Sequence, residues 1–185
     1  SFINTNPIPS SVTLIGSHAF AGCSNLNISI PSSVTSIGDS AFYNCEFMKQ
    51  IQISASLLLI EKSTFCECSY LKQITIPSSV TKIGESAFSR CKYLNQISIP
   101  SSVTSIGKYA FRSCSFLSQI TLPSNLVFIG DHAFFGCSRL TQITIPSSVT
   151  EIGENAFHDC TKLEQILILS SITSINNSVF FLCQS

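Results

Sequence analysis

The stretch "ITIPSSVTKIGESAFSRC", Ile74–Cys91, returns one period later as "ISIPSSVTSIGKYAFRSC", Ile97–Cys114. The same pattern runs along the chain as L-x-x-I-x-I-P-S-S-V-T-x-I-G-x-x-A-F-x-x-C-x-x. A fixed period of this length is typical of folds in which one small unit is stacked many times. The repeat cysteine recurs at a constant interval after Cys45, and the interval before Cys45 is shorter by one position. A phenylalanine stands three positions before each of these cysteines. The cysteines are Cys23, Cys45, Cys68, Cys91, Cys114, Cys137, Cys160 and Cys183, and the phenylalanines are Phe20, Phe42, Phe65, Phe88, Phe111, Phe134, Phe157 and Phe180.

The first part of each unit predicts a short β-strand. Ile97 and Ile99 alternate with the polar residues Gln96 and Ser98. A period of two places the isoleucines on one buried face and the polar side chains on the other. Pro100 then ends the strand, because proline cannot donate a hydrogen bond to a sheet.

The rest of the unit predicts a second leg and a short helical turn. Val103 and Ile106 indicate another, shorter strand, and we expect Gly107 to supply a turn that would strain other residues. The apolar residues that follow lie at i, i+1 and i+4, which is one face of a helical turn. They are Ala110, Phe111 and Cys114.

One such coil cannot bury its apolar side alone, but a stack can. Each coil contributes about eight inward side chains to a continuous core. Each fully buried aliphatic or aromatic side chain contributes roughly 1.5 to 3 kcal/mol. We therefore predict an α/β solenoid of about eight 23-residue coils, with a parallel β-sheet on one face, on the order of 40 Å long. The whole chain, 1–185, is expected to form one domain and to be a fragment of a longer protein.

The spacing L-x-x-I-x-I is that of a leucine-rich repeat, and the remainder, I-P-S-S-V-T-x-I-G-x-x-A-F-x-x-C, closely resembles the BspA-like subfamily. The resemblance covers essentially the whole chain. Such repeats occur in surface proteins of mucosal bacteria and of parasitic protists. The resemblance implies a cell-surface or secreted protein that functions in adhesion or protein binding, with host extracellular matrix or cell-surface proteins as suspected partners. An intracellular, cytoplasmic interaction scaffold is the alternative.

Composition argues against several kinds of partner. Charged residues make up 11% of the chain, against roughly 25% in a typical domain. The 10 basic and 10 acidic residues cancel, so neither nucleic acid nor an anionic membrane surface is an expected partner. No apolar run approaches the roughly 18 residues of a membrane span, so we expect no membrane insertion by this chain.

The nine cysteines suggest either a buried column or a chemical site. Eight occupy one repeat position on the apolar face, where free cysteine packs as a small hydrophobe. A metal site needs ligands that converge on one point, whereas a ladder offers a parallel column. Cys66 lies outside the ladder, just after Phe65, and is expected to be an exposed thiol, either incidental or reactive.

Neither a catalytic nor a cofactor-binding motif is found in the sequence. His18 and His132 share a repeat position but lie five coils apart, and His158 stands on another coil. Phosphate-binding glycine motifs are absent. Four acids follow the repeat glycine and are interpreted as residues that favour the start of a helical turn. They are Asp39, Glu85, Asp131 and Glu154, and we expect neither an enzyme nor a cofactor.

The positions that vary between repeats are the candidates for binding residues. The position two after the repeat cysteine carries four successive aromatics and then two cations, which coils in register would bring into one stripe. The stripe either binds a partner, by protein contact, sugar stacking or self-association, or shields the edge of the core. Its members are Phe47, Tyr70, Tyr93, Phe116, Arg139 and Lys162.

The outward residues of the predicted strands form two further columns. Their amides and hydroxyls either hydrogen-bond along the column and solvate the sheet, or form a polar platform for an extended partner or a glycan. The candidates are Gln73, Thr75, Gln96, Ser98, Gln119, Thr121, Gln142 and Thr144. Asn27 and Asn176 begin N-x-S sequons, which matter only in a secreted eukaryotic protein. Two coils depart from the repeat, "ISASLLLIEKSTFCEC" (Ile53–Cys68) and "ILILSSITSINNSVFFLC" (Ile166–Cys183). Neither has the polar outer face of a cap, so we also expect weak self-association through uncapped ends.

Overall fold

The backbone winds into a solenoid in which each coil lays two short strands beside those of its neighbour. The computed structural model describes residues 8–169 and 172–183, and all of the paired strands are parallel. Seven complete coils lie between the first and last repeat cysteines, against the predicted eight, and the stacked parallel strands confirm the predicted solenoid.

The strands are short and alternate between two faces. They are β1 (Leu14–Ile15), β2 (Ser36–Ile37), β3 (Gln50–Ile51), β4 (Leu59–Ile60), β5 (Gln73–Thr75), β6 (Lys82–Ile83), β7 (Gln96–Ser98), β8 (Ser105–Ile106), β9 (Phe128–Ile129), β10 (Gln142–Ile145), β11 (Glu151–Ile152) and β12 (Gln165–Ile168).

The first face is built from the I-x-I segments, as the alternation predicted. It comprises β3, β5, β7, β10 and β12, and single bridges extend it from Ser29 to Gln52 and from Ser98 to Thr121. Identical repeat positions pair, for example Gln73 with Gln96. The coil between Cys23 and Cys45 is the shortened one, and only the single bridge from Ser29 is formed there.

The second face confirms the second, shorter strand of each unit. Strands β4, β6, β8, β9 and β11 form one continuous sheet, and β1 pairs with β2 beside it. The two faces are joined by the P-S-S-V segment, a β-turn in which the valine amide donates to the proline carbonyl, as Val103 does to Pro100 at 3.0 Å. The second serine of this turn ties coils together, since Ser102 Oγ donates to the Val80 carbonyl at 2.6 Å.

The third leg is a ladder of turns and contains no helix in the described residues, so the predicted helical turn is wrong. In one coil Ala110 N donates to Gly107 O within its own turn, while Tyr109 N and Phe111 N donate to carbonyls of the next coil. Successive backbone amides therefore alternate between a hydrogen bond within the turn and one to the next coil, in place of the i to i−4 hydrogen bonds of a helix. The i, i+1, i+4 spacing fits both structures, and it does not distinguish them.

The helix-start interpretation of the acids fails for the same reason, because there is no helix dipole on this leg of the described chain. Three of the four acids, Glu85, Asp131 and Glu154, connect coils instead. Asp131 Oδ2 lies 3.3 Å from Lys108 Nζ, and Asp131 Oδ1 accepts a bond from the Glu154 amide at 3.0 Å. Glu85 lies 3.2 Å from Lys62 Nζ.

This turn ladder requires a left-handed backbone at two positions of every coil, five positions and one position before the repeat cysteine. Fourteen non-glycine residues of the described chain have positive φ there, and Gly22 and Gly136 complete the set. For an L-residue this conformation costs roughly 1 to 2 kcal/mol. The inter-coil hydrogen bonds made at these positions, such as Ser113 N to Phe135 O at 2.7 Å, offset that cost.

The core is a stack of aromatic rings beside a column of thiols. Neighbouring repeat phenylalanines lie with ring centroids 5.1 to 5.5 Å apart and nearly parallel. From Cys45 onwards, each repeat thiol donates to the phenylalanine carbonyl of the preceding coil, as Cys114 Sγ does to Phe88 O at 3.2 Å. Burial raises the pKa of Cys114 well above its usual range and that of Cys137 to about 12, so both thiols stay protonated.

The predicted buried column of cysteines is confirmed for the interior coils. Six repeat cysteines are buried, whereas Cys23 is exposed and Cys183 half-buried because each lies in an end coil with a neighbour on one side only. The repeat glycine begins the expected turn, since Ala110 N donates to Gly107 O, but close contact and not backbone strain requires a glycine there. A Cβ on Gly107 would lie 2.8 Å from Glu85 N, and Gly107 does not have positive φ.

We predict that the left-handed positions discriminate between side chains by shape. Ser113→Gly should hold or raise the thermal midpoint, because glycine occupies the same position at Gly136. Ser113→Val should cost about 2 kcal/mol, since a β-branched residue is strained there. Thermal unfolding followed by circular dichroism measures both. Ser118→Val, at an exposed position with ordinary φ, is the control, and equal losses for the two valine variants would contradict the strain argument.

Candidate functional site

The structure places four aromatic rings in one continuous row on successive coils, as the coil register predicts. Ring centroids are 5.2 Å apart for Phe47 and Tyr70, 5.0 Å for Tyr70 and Tyr93, and 4.8 Å for Tyr93 and Phe116. The rings are tilted by 34° to 44° and cover one another's faces. This row, with Arg139 beyond it, is called the aromatic stripe. Its role in binding stays a prediction.

The stripe ends in a cation and is open to solvent along its edge. The Arg139 guanidinium lies 3.8 Å from the Phe116 ring centroid, close enough for a cation–π contact. Phe47 is 44% exposed and Tyr70 36% exposed. Lys162 is exposed on the next coil, and it has no ion pair or ring contact within the described residues.

Beside the stripe, the polar columns of the first sheet line a groove of about 770 Å³. Gln73, Thr75, Gln96 and Ser98 are exposed there, and the strand backbone at the isoleucines between the columns forms its floor. Its lining residues are Asn27, Ile28, Ser29, Gln50, Ile51, Gln52, Gln73, Ile74, Thr75, Gln96, Ile97, Ser98, Gln119, Ile120 and Thr121.

The groove and the stripe form one contiguous surface. A neighbouring depression of about 410 Å³ contains Phe47 and Lys49 of the stripe side together with Asn27 and Gln50 of the groove. Farther along, the remaining predicted sheet residues continue the columns on β10 beyond the groove, where they are exposed: Gln142 and Thr144.

A second aromatic cluster, which the sequence analysis missed, lies on the turn ladder of the later coils. His132 lies 5.0 Å from Tyr109 and 5.6 Å from Phe135, and Phe135 stacks on His158 at 4.8 Å. The Arg112 guanidinium lies within 5.5 Å of both the Tyr109 and Phe135 ring centroids. The repeat pattern does not reveal this contact, because the contact joins two adjacent columns: Tyr109 and His132 lie in one, and Arg112, Phe135 and His158 lie in the other.

The histidines of this cluster are packed between rings and are not catalytically arranged. His132 Nδ1, His158 Nδ1 and Arg112 Nε are buried without a hydrogen-bond partner among the described residues. His158 Nδ1 lies 3.5 Å from an Asp159 carboxylate oxygen, but the geometry does not meet that of a hydrogen bond.

Burial lowers the pKa of His132 below its ordinary value. The neighbouring cations Lys108 and Arg112, and His158, lower it further, whereas the Asp131 carboxylate raises it. The unfolded chain, with an ordinary histidine pKa, therefore takes up a proton at a higher pH than the folded chain does.

Cys66 is buried, so the predicted exposed thiol is wrong. The position belongs to the turn ladder, where Tyr43 and Ser89 stand on the neighbouring coils. Burial, and next the nearby carboxylate of Glu67, raise the pKa of Cys66 to about 11. A protonated, enclosed thiol is a poor nucleophile, and this argues against a reactive role.

No group of three or more potential metal ligands occurs in residues 8–169 and 172–183. Over the same residues, no helix has both the length and the apolar character needed to cross a bilayer.

Stacked parallel strands, an I-x-I sheet face and a constant repeat length together define a leucine-rich-repeat type of solenoid. The family model for the BspA type leucine rich repeat region matches residues 2–116 and 87–185. The chain belongs to the BspA-type leucine-rich repeat family. Leucine-rich repeats of this kind generally serve as binding scaffolds for proteins. No curated protein sequence matches the chain.

Solved structures of bacterial proteins share the fold. A leucine rich cell surface protein of Faecalibacterium prausnitzii A2-165 is 30% identical with a TM-score of 0.64, over 90% of this chain and 56% of that one. A leucine-rich repeat protein of Bacteroides ovatus is 25% identical with a TM-score of 0.60, over 99% and 74%. The T. pallidum leucine rich repeat protein is 27% identical with a TM-score of 0.58, over 87% and 67%. The chain thus spans little more than half of the Faecalibacterium protein.

We predict that His132 makes the protein less stable in mild acid. Between about pH 7.5 and about pH 5.5 the unfolded state protonates first, so the free energy of unfolding falls as the pH falls. His132→Asn should reduce this fall, because Asn155 shows that asparagine suits the same backbone position. Urea unfolding at the two pH values measures it. His18→Asn, at the same repeat position of an exposed coil, is the matched control, and an unchanged pH dependence in His132→Asn would contradict the prediction.

Proposed function

We propose that this chain is a non-catalytic protein-binding module of a BspA-like surface protein and that the aromatic stripe is its contact surface. The partner is a protein of the host extracellular matrix or of a host or neighbouring cell surface. The observation that carries the proposal is the continuous, partly exposed row of rings ending in Arg139. Tyrosine, phenylalanine and arginine are enriched at protein interfaces, and tyrosine and arginine are among the residues that dominate binding energy.

The packing of the rings favours a protein over a sugar at the stripe. Sugar stacking needs a free ring face, whereas each inner ring of the stripe is covered by its neighbours at about 5 Å. What remains accessible is the row of ring edges, with the hydroxyls of Tyr70 and Tyr93 making no hydrogen bond within the described chain. Edges and hydroxyls suit the mixed polar and apolar surface of a protein partner.

Family membership and the Faecalibacterium cell surface protein support a location at the cell surface or outside the cell. A cytoplasmic interaction scaffold is the alternative, because thiols held by packing are compatible with either compartment. Protease treatment of intact cells separates the two, since only a surface protein is cleaved. The non-catalytic proposal is supported by the cluster histidines, whose imidazoles are enclosed between rings.

We predict that Tyr70→Ser combined with Tyr93→Ser weakens binding to immobilised matrix proteins and to epithelial cell monolayers at least about tenfold, the factor that corresponds to about 1.4 kcal/mol. The stripe is at the surface, so the thermal midpoint should fall by less than about 5 °C. Binding of the labelled chain and thermal unfolding are measured on the same preparations.

The matched control is Thr81→Ser combined with Thr104→Ser, at exposed positions that lead into the second sheet. These changes should alter neither quantity. A midpoint that falls by about 10 °C or more with unchanged binding would show that the rings shield the core and would overturn the proposal.

We propose, second, that the chain associates weakly with itself through its ends. Ile166 is 40% exposed and Ile175 is 55% exposed, although the same repeat positions are buried in the interior coils. At the other end an apolar depression of about 490 Å³ is lined by Ile8, Val12 and Leu14 among others. Two such surfaces are complementary in chemistry, and stacking would continue both sheets.

The purified chain should therefore show a light-scattering mass that rises with concentration. Ile166→Lys combined with Ile175→Lys places charge on the exposed end, where it costs little stability, and should hold the mass at that of the monomer. A constant monomer mass for the unmodified chain at all concentrations would contradict end-to-end association.

A further inference from the structure

We propose that the groove over the first sheet binds a linear, uncharged polysaccharide. The glutamine and hydroxyl columns would contact the sugar hydroxyls. This goes beyond the protein-binding function assigned to the aromatic stripe and rests on different residues.

The shape of the groove suits a long, thin ligand. It is about 770 Å³ in volume and crosses five consecutive coils, from Asn27 to Thr121. Because the coils stack along the solenoid axis, the groove runs in that direction and repeats the same set of contacts at each coil, about 4.8 Å apart. A polymer of identical units can satisfy such a repeating set, whereas a folded protein surface does not repeat in this way.

The charge of the groove indicates an uncharged ligand. The fifteen described residues that line it are asparagine, glutamine, serine, threonine and isoleucine, and none of them is charged. An acidic or basic polymer would lose solvation without gaining a counter-charge there. The lining also lacks the aromatic and arginine residues that characterise the centre of a protein interface.

The hydrogen-bonding groups of the columns are free. Each glutamine amide carries two donors and an acceptor with two lone pairs. In the described chain, the side chains of Gln50, Gln73, Gln96 and Gln119 form no hydrogen bond with one another or with other protein groups. Bonding of the stacked amides along the column is thus not formed among the described residues, whereas solvation of the sheet by these side chains stays the alternative to ligand binding. Sugar hydroxyls both donate and accept, so they can use both ends of each amide.

The floor of the groove between the two columns is strand backbone. Ile51, Ile74, Ile97 and Ile120 point into the core and keep only 5% to 8% of their surface accessible. The outward amides and hydroxyls are therefore the side-chain groups that a ligand in the groove would contact.

The test is isothermal titration calorimetry of the whole chain with soluble neutral polymers: mixed-linkage β-glucan, hydroxyethylcellulose, glucomannan and amylose, with hyaluronan as the charged comparison. At least one neutral polymer should bind and hyaluronan should not. Gln73→Ala combined with Gln96→Ala should weaken that binding about tenfold or more, because two amides lose their hydrogen bonds to the ligand. Both side chains are exposed, so the thermal midpoint should not change.

Two controls separate this proposal from the protein-binding one. Thr81→Ala combined with Thr104→Ala, outside the groove, should leave polymer binding intact, and so should Tyr70→Ser combined with Tyr93→Ser. The proposal is overturned if no neutral polymer binds, if hyaluronan binds as tightly, or if the glutamine variant binds as well as the unmodified chain. Loss of matrix-protein binding in the glutamine variant without polymer binding would assign the groove to a protein.

Discussion

Every second backbone amide of the turn ladder donates to the next coil, and the rest of the structure depends on this. Tyr109, Phe111 and Ser113 each donate across to the following coil, in a conformation that costs free energy at two of the three positions. A buried amide without a partner is more costly still, so a coil cannot hold this shape alone. Stability is therefore a property of neighbouring pairs of coils.

The same constraint gives the molecule its surfaces. Because the coils are held in register, the side chains at one repeat position of successive coils lie in a column. A substitution at that position therefore changes one member of a column. The aromatic stripe, the polar groove and the second aromatic cluster are three columns or pairs of columns of this kind. A single side chain of a column contributes little binding free energy, but the whole column is long enough to contact an extended partner. The thiol column belongs to the interior, where the phenylalanine carbonyls accept hydrogen bonds from it.

Much of this could be predicted from the sequence, because strand alternation and coil register follow directly from the repeat. The position of Gln96 opposite Gln73 and the stacking of Phe88 on Phe111 needed no more than the period of the repeat. The third leg could not be predicted, since Ala110, Phe111 and Cys114 have a spacing that fits a helix and a pair of turns equally well. The errors at Cys66 and in the histidine cluster followed from it, because both lie on that leg, where neighbouring columns meet.

The shortened coil between Cys23 and Cys45 shows where the chain can change its length. Asn27 stands where other coils have two residues, so the deletion falls just before a strand of the first face, where a single bridge from Ser29 is still formed. The phenylalanine and cysteine columns pass through this coil unbroken. An insertion or deletion inside the turn ladder would instead break the alternation of hydrogen bonds within the turn and to the next coil. The fold thus accepts a change of one residue at the junction before a strand, and a change of length by whole coils elsewhere, because each coil contacts only its neighbours.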